Sequence, residues 1–176
     1  MTHDAPRRTE ALLAQAQRLR AQLESNPEET EEIGLIDFEL GADRFAIEIE
    51  VVSKIDKIPP ITSVPNTPNF VKGVVNLRGE IFPVLDLSEM LGIKIDGEDR
   101  GMLILQEGTK RFGVVSHSLP DYFKTDPEKI DPPPKSTDIV GSILSGTLRR
   151  ETDGQFVGII DGPRLFALVA RLTNAE

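Results

Sequence analysis

Apolar residues recur along this chain in two rhythms, and the change between them falls at Ile33. Before it, Leu12, Leu13, Ala16, Leu19 and Leu23 return every three or four positions among arginines and glutamines, which predicts a helix over residues 9–25. Asn26-Pro27 ends that helix, and Glu28, Glu29, Glu31 and Glu32 follow as an acidic connector, so residues 1–32 read as an appendage. After Ile33 the period shortens to two. Leu35, Phe38 and Leu40, the turn Gly41-Ala42-Asp43, and then Phe45, Ile47 and Ile49 predict a half-buried hairpin. Alternation fails over Val51, Val52 and Ile55, where a helical turn and an irregular edge strand both fit. Pro59-Pro60, Pro65 and Pro68 mark a loop in which Thr67 is positioned to cap a single helical turn.

A second hairpin occupies residues 69–87, where Val71, Val74, Val75 and Leu77 face Ile81, Phe82, Val84 and Leu85 across the turn Arg78-Gly79-Glu80. Asp86 then caps a short helix through Leu91, stopped by Gly92. Residues 102–105 and 112–115 predict strands around Glu107-Gly108-Thr109-Lys110, and Tyr122-Phe123 opens another. Asp131-Pro132-Pro133-Pro134 is stiff and extended. Residues 139–148 and 156–160 predict the last strands, joined by the turn Thr152-Asp153-Gly154-Gln155, and a closing helix runs from Asp161 or Gly162 to about Leu172, burying Leu165, Phe166, Leu168 and Val169. Many short strands with brief helices indicate a mainly β fold of small barrels.

Composition narrows the function. A chain of 176 residues, 39% hydrophobic, is long enough for one domain or two small subdomains. A net charge of -9 argues against nucleic acid as a partner. No cysteine is present, which excludes disulfides and thiolate sites; no apolar run reaches the ~20 residues that span a bilayer, and residues 11–23 lack a signal peptide's apolar core. A cytoplasmic location without membrane insertion is expected.

Catalytic constellations are hard to assemble. The two histidines, His3 and His117, are far apart, so no metal site and no cofactor are expected. His117 lies between Ser116 and Ser118, but neighbours on a strand point to opposite faces, so a structural histidine is the simpler reading. A small-barrel hydrolase built on those three residues remains an alternative. Weight therefore shifts to binding. Arg78, at the hairpin tip, can make a forked contact with a partner's carboxylate or stand as an ordinary solvated arginine; the residue pattern leaves both open.

The stretch Pro65-Asn-Thr-Pro-Asn-Phe-Val-Lys-Gly-Val-Val-Asn-Leu-Arg-Gly-Glu-Ile-Phe-Pro-Val-Leu-Asp-Leu87 resembles the signature of the CheW-like domain family of bacterial chemotaxis. Supporting matches are the opening hairpin, Phe112-Gly-Val-Val, Ile130-Asp-Pro-Pro-Pro and Gly158-Ile-Ile-Asp-Gly, so the resemblance covers residues 33–172 and leaves a tail at 173–176. It implies two intertwined five-stranded SH3-like barrels with a hydrophobic groove where they meet. It also implies a non-catalytic adaptor that couples the cytoplasmic tips of chemoreceptors to a CheA-type histidine kinase, recruited to membrane-associated receptor arrays. By position, Val52, Ile55, Arg78 and Phe112 match the family's receptor-facing groove, with Lys54, Asp56 and Asp131 as kinase-binding or specificity residues. One departure stands out: Lys54 occupies the place of the family's glutamate in Val52-Ser53-Lys54-Ile55, so Glu50 or Asp56 substitutes as the acid, or Arg78 is free for a partner. His117 likewise stands where an aspartate is common. A regulatory module acting through the N-terminal helix is the other alternative.

Overall fold

The strands predicted after Ile33 form two five-stranded sheets in the computed structural model, which describes residues 13–18, 20 and 31–174. The chain divides into two units, Met1–Glu32 and Ile33–Glu176. In the first, residues 13–18 and Arg20 are helical (α1); the rest of the predicted helix and connector residues 26–30 lie outside the described residues.

In the second unit, β1 (Ile33–Leu40), β2 (Asp43–Glu48), β3 (Val52–Asp56), β4 (Val71–Leu77), β5 (Glu80–Leu85) and α2 (Leu87–Leu91) form the first half. The second half holds β6 (Gly101–Glu107), β7 (Lys110–Ser116), β8 (Asp121–Thr125), α3 (Ile139–Ile143), β9 (Leu144–Arg149), β10 (Phe156–Ile160) and α4 (Gly162–Thr173). One sheet runs β8-β1-β2-β10-β9 and the other β3-β6-β7-β5-β4. Each strand of the first half thus has a counterpart five strands later in the same place of the opposite sheet. The halves are repeats that have exchanged their opening hairpins. The β5–β7 and β2–β10 pairs, which join the two halves, are parallel, while the remaining pairs are antiparallel.

Each sheet is rolled by a short backbone ladder. Thr62 and Val74 exchange N–H···O bonds of 2.9 and 2.8 Å, and Asp131 and Thr147 do so at 2.8 and 2.9 Å, so the chain beyond β3 meets β4 and the chain beyond β8 meets β9. Two mainly β barrels result, as the sequence predicts. The largest core lies between them: Ile36, Phe38, Phe45 and Ile47 of one barrel meet Leu103, Leu105, Phe112 and Val114 of the other, roofed by Leu165, Phe166 and Leu168 of α4. Smaller cores fill each barrel, with Val75, Phe82, Met102 and Val115 in one and Leu35, Leu148 and Val157 in the other. Consequently β6 is buried on both faces from Gly101 to Leu105, since Leu103 and Leu105 face the shared core while Met102 and Ile104 face their own barrel.

Local chemistry sets the ends of the elements. Asp86 and Asp161, at matching places in the two repeats, cap α2 and α4 by accepting from Ser88 N–H and Arg164 N–H at 3.0 and 2.9 Å. Gly92, left-handed at φ 69°, ends α2.

Three expectations are corrected. Residues 139–148 are not one strand: Asp138 accepts from Gly141 N–H at 2.8 Å and caps the helix α3, so β9 starts only at Leu144. Thr67 caps no helix, because its hydroxyl donates to Val64 O at 2.9 Å within a turn. Ile49 leaves the alternation of β2 and opens a 3-10 turn, Ile49–Val51, before β3.

Candidate functional site

The failed alternation at Val52 and Ile55 has a structural cause. A bulge between Val52 and Lys54 inserts an extra residue, so Val52 and Ile55 share a face three positions apart. Across the sheet Val52 pairs with Leu105, which pairs with Phe112, and Ile55 pairs with Leu103, which pairs with Val114. Leu103, Leu105, Phe112 and Val114 all belong to the shared core, so Val52 and Ile55 are the surface ends of its rows. Val52 is half-buried and Ile55 is 39% exposed. Phe112 is the buried end. Its ring lies 4.7 Å from that of Phe166 and the residue is 4% exposed, so it supports the surface from behind.

Lys54 and Asp56 fall on the other face of β3 and leave the barrel at its rim, where they form an ion pair. Asp56 also accepts from Lys57 N–H at 2.8 Å. The Lys54 contact, then the Lys57 N–H, hold the Asp56 carboxyl below its ordinary value, and the Arg78 charge acts in the same direction. The direct partner of Asp56 is Lys54, and Arg78 bears on it only through its charge. A carboxyl held low stays ionised above the ordinary carboxylate range, and its pairing is lost only as pH falls through the lowered value. We expect its 13C carboxyl resonance to titrate below that of a free aspartate, and to move back toward it in Lys54→Ala.

Arg78 occupies the tip of the β4–β5 hairpin with φ 53°, followed by Gly79 with φ 85°, and is exposed. Two consecutive left-handed residues are the geometry of a tight hairpin turn, in which asparagine or glycine is preferred and an arginine costs roughly 1 kcal/mol. Asn76 steadies the turn by accepting from Gly79 N–H at 3.0 Å. Among the described residues no carboxylate lies within ion-pair distance of Arg78. Glu80, on the far side of the turn, pairs instead with Arg111.

Beside the tip stands Ile81, 69% exposed. Its counterpart in the other repeat is Phe156, 68% exposed, each placed at the same offset before its capping aspartate. The Arg149 guanidinium lies 5.9 Å from the Phe156 ring centroid, so both repeats set an exposed apolar residue near an arginine on the last hairpin of a barrel. The residue pattern alone did not single out Phe156; only the repeat, visible once strands are paired, marks it. Asp131 is exposed on the other barrel, where its backbone closes the ladder to β9, so it is not gathered with Lys54 and Asp56.

The hydrolase alternative has no support in this geometry. Ser116 Oγ donates to Ser118 O at 2.8 Å, and His117 Nδ1 accepts from Gly41 N–H at 2.8 Å, so serine and imidazole form no nucleophile–base pair. Among the described residues no group of three His, Cys, Asp or Glu side chains could hold a metal ion, and no helix is long and apolar enough to cross a membrane.

Paired barrels around one core, with one strained tip at Arg78 and an exposed apolar residue on the last hairpin of each barrel, define a small-barrel binding module. The chain belongs to the CheW-like domain family, whose domain is matched over residues 34–170. It is 32% identical to a probable chemotaxis protein CheW of Rhizobium etli over 136 residues, 76% of this chain and 86% of the relative. Protein FrzA of Myxococcus xanthus is 27% identical over 130 residues, 73% of this chain and 81% of the relative. Among solved structures, the scaffolding protein TtCheW of Thermoanaerobacter tengcongensis superposes with a TM-score of 0.67 at 28% identity, covering 77% of this chain and 88% of that one. These likenesses set the chain among the chemotaxis scaffold proteins, which are not enzymes.

Proposed function

We propose that this protein couples the cytoplasmic tips of chemoreceptors to a CheA-type histidine kinase, acting in the cytoplasm at membrane-associated receptor arrays. The observation that carries the reading is Arg78: an exposed arginine held in a left-handed conformation that asparagine or glycine would occupy more cheaply. Retaining it there at a cost in stability fits a side chain kept for a partner's carboxylate. Val52 and Ile55 would supply the apolar part of the receptor surface, Phe112 its support, and Lys54 with Asp56 the charges that tune partner choice, Asp131 contributing on the other barrel. Two barrels, each with an exposed apolar residue on its last hairpin, allow two partners to be held at once, and a body that holds both makes the affinity for one depend on the state of the other.

Mixing the protein with a receptor tip and the kinase tests this. The expected result is a co-sedimenting ternary assembly with altered autophosphorylation; failure to bind either component would overturn the proposal. Two substitutions then examine the tip. Arg78→Glu is expected to weaken one of the two associations at least tenfold with the fold intact. Arg78→Asn is expected to raise stability by about 1 kcal/mol while also weakening binding, since it removes the strain and the guanidinium together. Wild-type affinity for both partners in both variants would reduce Arg78 to a solvated turn residue.

A further inference from the structure

His117 is the one histidine among the described residues, and it sits where the two barrels are fastened together. It follows β7 and is 9% exposed. Its N–H donates to Glu39 O at 2.9 Å, and Glu39 N–H donates to Ser118 Oγ at 3.1 Å, so the end of β1 is laced to the segment after β7. The imidazole completes the lacing. Nδ1 accepts from Gly41 N–H at 2.8 Å, and Gly41 is the left-handed corner of the β1–β2 turn, φ +62°, so close to Lys94 that an added Cβ would lie 2.4 Å from its carbonyl oxygen. The turn of one barrel is thus seated in the loops of the other.

That hydrogen bond fixes where protons are allowed. A nitrogen that accepts carries no hydrogen, so the neutral ring bears its hydrogen on Nε2, which lies 3.4 Å from Asp99 Oδ1 and makes no closer hydrogen bond. A further proton can enter only at Nδ1, where it would confront the Gly41 N–H. We propose that His117 is a proton-sensitive clasp between the barrels: the neutral ring holds the Gly41 turn, and protonation releases it.

The charges around the ring explain why the imidazole would stay in place while the turn lets go. Asp99, in the segment before β6, faces Nε2, and Lys72 of β4 holds its other oxygen at 2.5 Å while reaching Asp86, the cap of α2, at 3.7 Å. Glu39, the nearest acid on β1, turns its carboxylate to Arg44. An imidazolium therefore keeps Asp99 as its partner and loses only Gly41. A proton added at Nδ1 would thus free the β1–β2 turn while the ring stays anchored to Asp99.

The test is NMR on the intact chain carrying His3→Ala, which leaves His117 as the sole imidazole. The ring 15N shifts are expected to report the Nε2–H form at high pH. As the ring titrates, the exchange protection factor of the Gly41 amide is expected to fall on the order of tenfold, the factor corresponding to one lost hydrogen bond, while Val114 and Ile36 in the shared core stay protected. His117→Asn, whose side-chain oxygen can accept from Gly41 without titrating, is expected to keep that protection level with pH. An Nδ1–H ring at high pH, a titration that leaves Gly41 unchanged, or a ring that stays neutral until the whole protein unfolds would each overturn the clasp. The ring shifts and the Gly41 protection need no variant at position 117, so misfolding of His117→Asn would leave the proposal decidable.

Discussion

Replacing Phe112 with alanine is expected to lower stability by about 4 kcal/mol, among the largest effects a single substitution can have here. The residue is 4% exposed, its ring sits 4.7 Å from Phe166, and it lies in the core shared by both barrels, so the cavity would open where neither barrel can close it alone. Urea unfolding measures the loss; a drop below about 1.5 kcal/mol would mean that α4 collapses onto the vacancy. Phe112→Leu keeps most of the volume and is expected to cost about 1 kcal/mol. Comparing partner binding by that milder variant separates two roles. If Phe112 only supports the row that ends at Val52, Phe112→Leu should bind as the wild type does once folded.

Asp37→Ala is the second large effect, expected at about 3 kcal/mol. Asp37 is 5% exposed on β1, and its carboxylate takes Arg44 at 2.9 Å and Arg150 at 3.2 Å. Arg44 also pairs with Glu39, yet its Nε has no hydrogen-bond partner, so this cation already has one polar atom unsatisfied. Removing the carboxylate would take the shared acid from two guanidiniums, leaving Arg44 with Glu39 and Arg150 with Asp153 at the more exposed edge. A domain of this size should lose roughly 10 °C in melting temperature, and a loss under 3 °C would mean that water replaces the carboxylate without penalty. Arg150→Ala in the Asp37→Ala background should cost little more, because the two share one interaction.

The residues reveal local structure far more readily than they reveal partners. Gly41, Gly79 and Gly92 mark turns and a helix end because a left-handed backbone needs them, and Asp86 and Asp161 mark helix starts because a carboxylate must meet free N–H groups. The CheW-like signature around Arg78 carries the family and with it the barrels. What stays hidden depends on pairing between distant strands. Nothing near Val84 indicates that it lies beside Gly113, nor does the sequence near Arg44 point to Val157. The Asp37–Arg44–Arg150 cluster is hidden for the same reason, although an aspartate between Ile36 and Phe38 is a visible irregularity in an apolar strand. Residues 139–143 mislead because Ile139, Val140 and Ile143 favour strands in isolation, while the Asp138 cap decides for a helix. The sequence offers Glu50 or Asp56 as the acid for Arg78; in the folded barrel Asp56 pairs directly with Lys54, and Arg78 acts on it only through its charge.

The exchange of opening hairpins between the repeats has a consequence for how the protein is made. During synthesis β1 and β2 leave the ribosome first, yet their barrel is completed only by β8, β9 and β10, the last strands to emerge. The apolar faces of Phe38 and Ile47 must therefore wait for nearly the whole chain before they are covered. A truncated nascent chain would expose the central core, which makes early termination a route to aggregation and chaperone capture. The same wiring allows rescue in trans: fragments cut in the loop between α2 and β6 each supply the opening hairpin of the other's barrel, so co-expressed halves should assemble into one body.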